Sequence, residues 1–77
     1  MMKYVRGKLN GTRQVIIFTG NVLNHSDVAK FLDEATSAGF VEVRDKEIKC
    51  FGESNTLNLP SDNKDALFIK AFLGIEE

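Results

Sequence analysis

Tyr4, Arg6 and Lys8 alternate along one short segment, and Arg13 follows just beyond an Asn10-Gly11 pair. Cations at every second position can neutralise phosphates while a nearby aromatic ring stacks on a base. Arg6, Lys8 and Arg13 are therefore the candidates for a nucleic-acid contact. His25-Ser26-Asp27 has the letters of a hydrolase triad but not its spacing. A triad converges from separated chain positions, whereas consecutive helical residues point about 100° apart; helix capping is the better account. Cys50 is the only thiol, and alternation puts it on the inward side of its strand, where a cysteine acts as a small hydrophobe. One histidine and one cysteine do not make a structural zinc site. No phosphate loop or dinucleotide fingerprint occurs. The carboxylates Asp33-Glu34, Asp62/Asp65 and Glu76-Glu77 read as helix surface and charged tail. The expectation is a non-enzymatic chain without cofactor or metal.

The elements that position these residues must fit one domain covering residues 1–77, because 77 residues leave no room for a second core. Hydrophobic residues at 43% and charged residues at 27% argue against disorder. The longest apolar runs, residues 15–18 and 66–69, are far shorter than the roughly 20 residues of a membrane-spanning helix. No apolar stretch follows Met1-Met2-Lys3, so a cytoplasmic chain with no membrane contact is expected. The net charge of −1 hides an asymmetry: the first 26 residues hold Lys3, Arg6, Lys8 and Arg13 and no acid. Such polarity provides a basic patch, or is neutralised within the fold.

Residues 3 to 9 and 14 to 19 form two strands joined at Asn10-Gly11, the strongest short hairpin signal. A two-residue turn opposes Leu9 with Thr12, Lys8 with Arg13, and Val5 with Ile16; a four-residue loop keeps the same faces. Val5, Leu9, Ile16 and Phe18 then share the core face, and Tyr4, Arg6, Lys8, Val15 and Ile17 the other. A helix opens at Asn24-His25-Ser26-Asp27, carries Val28, Phe31, Leu32 and Ala35 as its apolar stripe, and stops at Gly39. Residues 40 to 51 form a second hairpin about Asp45-Lys46, opposing Arg44 with Glu47, Glu42 with Lys49, and Phe40 with Phe51. Its core residues are Val41, Val43, Ile48 and Cys50. Residues 56–59 add a fifth strand with Leu57 and Leu59 inward, and a last helix runs from a Ser61 or Asp62 cap to Leu73, with Gly74 at its stop.

The order ββαβββα describes an α+β domain: a mainly antiparallel five-stranded sheet with both helices packed on one face. The uncovered face would bear Tyr4, Val15, Ile17, Phe40 and Phe51 among charged side chains. A contiguous patch of that kind marks a contact surface. Tyr4, Ile17, Phe40 and Phe51 are accordingly the candidate partner-binding residues, for a protein partner or a second copy of the chain. Unpaired strand edges offer a further route to self-association. Nucleic-acid binding by the basic first hairpin is the alternative.

The stretches Asn24-His25-Ser26-Asp27-Val28-Ala29, Ala38-Gly39-Phe40-Val41 and Cys50-Phe51-Gly52-Glu53-Ser54 resemble those of small phage and prophage proteins. The resemblance spans about residues 4 to 73. That group has no assigned activity, so the resemblance transfers no catalytic or binding residue. It implies expression in a bacterial cytoplasm and a role in phage development or interference with a host factor.

Overall fold

The computed structural model describes residues 2–21 and 23–74. Asn10 and Gly11 both take positive φ, 53° and 78°, so the turn is as tight as the dipeptide predicts. It joins β1 (Met2–Leu9) to β2 (Thr12–Thr19) in the expected register, Leu9 opposite Thr12 and Val5 opposite Ile16. A second hairpin pairs β3 (Glu34–Arg44) with β4 (Glu47–Phe51), again as expected, with Phe40 opposite Phe51 and Glu42 opposite Lys49. β1 pairs with β3, giving one four-stranded antiparallel sheet of order β2-β1-β3-β4.

The expected five-stranded sheet is corrected to this four-stranded one plus a two-stranded ribbon of β5 (Glu53–Ser54) and β6 (Leu59–Pro60). Of the expected strand over residues 56–59 only Leu59 is in a strand, because turn chemistry wins over residues 56–58. Ser54 Oγ accepts the Leu57 N–H at 3.3 Å, and Asn58 adopts φ 54°. Pro60 lacks the N–H that an interior strand needs.

The first helix is also shorter than its stripe suggests. α1 covers only His25–Ala29, closed by a capping box in which Asn24 and Asp27 exchange side-chain bonds at 3.0 and 3.2 Å. Phe31 is 67% exposed, and Ala35 to Gly39 belong to β3 instead. Pairing with β1 decides this segment, overriding a local pattern that fits a helix. Gly7 makes the pairing possible: a Cβ there would sit 1.9 Å from the Glu34 carbonyl oxygen. At the same place the register shifts between Arg6 and Gly7, leaving Thr36 as an extra residue. This bulge sends Ala35 and Ser37 to opposite faces despite their spacing of two.

α2 (Asp65–Leu73) ends as expected, at Gly74 in the left-handed region with φ 72°, but it begins later than expected, with Lys64 and not Ser61 or Asp62 at its N-cap. The two helices, however, lie on opposite faces, not on one. Val28 of α1 packs with Val5, Phe18, Leu32 and Ala38, joined by Leu57 and Leu59. Ile69 of α2 packs with Tyr4, Val15 and Val41, joined by Ile48, Cys50 and Phe68. The reason is the register between the hairpins, which sets Val41 opposite Met2 and hence on the Tyr4 side. Both faces are apolar, so both are covered.

Gly7→Ala tests the β1–β3 register. It should cost about 3 kcal/mol or more, a fall in Tm of roughly 12–24 °C for a domain of this size, measured by thermal melting. An unchanged Tm contradicts the close approach.

Candidate functional site

Among the described residues Asp65 is a fully buried carboxylate, 0% exposed, at the first turn of α2. It faces the sheet because the chain enters α2 through a reciprocal arrangement. The Asp62 N–H donates to Asp65 Oδ2 at 2.9 Å, while the Lys64 N–H donates to Asp62 Oδ1 at 2.8 Å. From the sheet, Arg6 Nη1 and Ser37 Oγ each donate to Asp65 Oδ1 at 2.9 Å, and the Tyr4 hydroxyl donates to Oδ2. Tyr4 and Arg6 come from β1 and Ser37 from β3, delivered to this face by the bulge. Phe68 lies under the guanidinium, 4.4 Å from ring centre to Arg6 Cζ.

Burial alone would raise the Asp65 carboxyl, but the bonds from Tyr4, the Asp62 N–H, Arg6 and Ser37 together hold it below the usual carboxylate range. Burial, followed by the bond to Asp65 and its charge, pushes the Tyr4 hydroxyl well above an ordinary phenol. Burial and the same carboxylate push the half-buried Cys50 thiol up to about 11. This cluster is an anchor: its hydroxyls and thiol stay protonated at neutral pH, and its carboxylate is saturated by donors.

The candidate partner-binding residues do not merge into one patch. Tyr4 is 0% exposed beneath α2, which corrects its place on an open face. Ile17 is half-buried on the same side. Phe40 and Phe51 are half-buried on the opposite side, stacked at 5.9 Å. There His25 sits edge-on between Phe18 and Phe40 and donates from Nε2 to the Gly39 carbonyl at 2.8 Å. His25 therefore does more than open a helix, a role that spacing alone does not reveal.

Arg6, Lys8 and Arg13 do converge. With Gly7, Thr36, Ser37 and Asp62 they line a cleft of about 240 Å³. Arg6 is committed inward to Asp65. Lys8 and Arg13 stand opposite each other across β1 and β2, exposed, and neither has an ion-pair partner among the described residues. A second cleft, of about 510 Å³, is bordered by Met2, Thr19, Asn21, Val41, Glu42 and Val43, of which only Glu42 carries an ionisable side chain. No group of His, Cys, Asp or Glu among the described residues could hold a metal ion. No helix among them is long and apolar enough to cross a membrane.

The two sheet edges differ. β4 is five residues long and carries Glu47 and Lys49. β2 is eight residues long, has Arg13 as its single charge, contains no proline or glycine, and is paired only with β1. Natural edges are usually guarded by brevity, charge, proline or a bulge, and β2 has little of this protection. Sequence reasoning could have found it: residues 15–18 are an unbroken apolar run, the pattern of a strand covered on both faces.

No protein family, no curated protein and no solved structure matches the chain.

Asp65→Asn should lower the unfolding free energy by about 3–5 kcal/mol, because it leaves Arg6 without its partner in a largely buried site. Tyr4→Phe should cost less, about 1.5–3 kcal/mol, for one bond to a charged acceptor. Urea denaturation checks both; equal or negligible losses contradict the assignment. Because the folded thiol titrates near 11, above an unfolded thiol near 8.5, stability should be full below about pH 8.5 and decline as pH rises toward 11. Tyr4 acts in the same direction. Denaturation midpoints at pH 8 and pH 10 measure this; a midpoint that rises with pH contradicts it.

Proposed function

We propose that this chain is a small non-enzymatic protein-interaction module that works through the free edge of β2. The single observation that carries the reading is the contrast between the two edges. Both faces of the sheet carry a helix, so the route through an open face is closed; of the two edges with unmet bonding capacity, β2 is the longer and the less guarded. An added strand would gain main-chain hydrogen bonds there and contact Ile17 beside it. The resemblance to phage and prophage proteins supports a setting in the bacterial cytoplasm, in phage development or in binding a host factor.

Amide hydrogen exchange tests this. In dilute protein the amides of Ile16 and Phe18, bonded to β1, should be protected, while those of Val15 and Ile17 exchange freely. Association should protect Val15 and Ile17 first. Protection arising instead on α2, which exposes Leu67, Phe72 and Leu73, would overturn the reading.

The basic cleft favours a second reading, oligonucleotide binding. Two like charges placed directly opposite each other on a sheet repel, and a phosphate between Lys8 and Arg13 would relieve that repulsion. Replacing both with alanine should lower the slope of log affinity against log salt by about 1.4 for a single strand, roughly 0.7 per charge. Fluorescence anisotropy with a labelled oligonucleotide measures it; absence of binding at low salt removes the reading. Arg6 is not a clean probe, because its loss disturbs Asp65.

A further inference from the structure

We infer that the strand which occupies the β2 edge is the β2 of a second copy of this chain, antiparallel, with a two-fold axis at Ile16. The inference rests on the edge reading above and adds the occupant and its register.

The geometry follows from the turn. A two-residue loop closes on Leu9 and Thr12 as a hydrogen-bonded pair, and bonded and non-bonded pairs then alternate along the ladder. Ile16 and Phe18 point their backbone groups at β1. Arg13, Val15, Ile17 and Thr19 point theirs away. When β2 meets a copy of itself across a two-fold axis at Ile16, Arg13 falls opposite Thr19 of the second copy and Val15 opposite its Ile17, and the reverse. Every outward N–H and C=O of these four residues then has a partner. A slip of two residues in either direction leaves part of the edge unpaired.

The side chains agree with this register. The single charge of the strand, Arg13, meets a threonine. Val15 and Ile17 meet each other on the α2 side, and Ile16 meets its own copy on the α1 side, giving apolar cross-strand pairs throughout the centre. A slip that sets Arg13 against Arg13 would oppose like charges. Neither helix stands in the way: α1 packs on β1 and β3, and α2 chiefly on β4. The exposed apolar side of α2 is a weaker candidate, since nothing in the structure shows what covers it.

The register can be read with cysteines in a Cys50→Ser background. Facing non-bonded residues in an antiparallel pair lie about 4.5 Å apart between Cα atoms, within the range a disulfide spans. Ile16→Cys should therefore convert to a covalent dimer under mild oxidation. Gln14→Cys should not, because its copy lies on the far side of the axis. Sedimentation should show the parent protein doubling in mass as concentration rises through the micromolar range, and Ile17→Pro should remain a folded monomer. Proline is tolerated where the N–H points outward but removes a bond across the edge. A monomer at every concentration, or a dimer that Gln14→Cys locks and Ile16→Cys does not, overturns the inference. A monomer whose Val15 and Ile17 amides become protected by a different protein would overturn self-pairing alone and leave the edge reading standing.

Discussion

Asp65 is a carboxylate with no access to water, and the fold is arranged so that it can remain charged. Removing a carboxylate from water costs several kcal/mol even after relaxation. Against this stand four donors from three parts of the chain: Tyr4 and Arg6 on β1, Ser37 on β3, and the Asp62 N–H just before α2. A charged acceptor roughly doubles the strength of each bond. The arrangement is directional where apolar packing is not. Ile69 and Phe68 could bury similar area with α2 rotated or shifted by a residue, but Asp65 could not keep its donors. The carboxylate thus fixes how α2 sits on the sheet, and through Arg6 and Ser37 it ties β1 to β3.

That constraint accounts for features that look unrelated. The bulge at Thr36 is needed for Ser37 to point at Asp65 while Ala35 still packs under α1. Gly7 is needed because the bulge brings the backbone of β3 against β1. Arg6 lines the basic cleft with its charge already matched by Asp65 and its guanidinium over Phe68, so Lys8 and Arg13 carry the cleft's free charge. β1, bonded on both sides, is the rigid centre of the sheet, and β2 hangs from it by one edge. Covering both faces leaves the free strand edge as the sheet's main open feature, and the unguarded character of β2 gives that edge its functional weight.

Local chemistry made much of this legible in the sequence. Asn10-Gly11 set the first hairpin, the Arg44–Glu47 and Glu42–Lys49 pairs set the second, and Gly74 marked the end of α2. What was not legible depends on contacts between distant segments. Val28, Phe31, Leu32 and Ala35 fit a helical stripe, but β1 takes Ala35 into a strand. The register between the two hairpins has no local signature, so the side of Val41 relative to Tyr4 could not be assigned, and with it the placement of the helices. Of the candidate site residues, Arg6, Lys8 and Arg13 do share a cleft. Asp65 was missed because an acid in the first turn of a helix ordinarily serves the helix dipole, and nothing local tells that it faces inward.

The most direct test of this account is the titration of Asp65 itself, followed through its side-chain carboxyl carbon by NMR as the folded protein is acidified. The account requires the midpoint to lie below 3.8, the ordinary value, with the Tyr4 and Arg6 side-chain signals changing in step with it. A midpoint at or above that value, with α2 still docked, would mean that the donors do not hold the charge and that packing alone positions the helix.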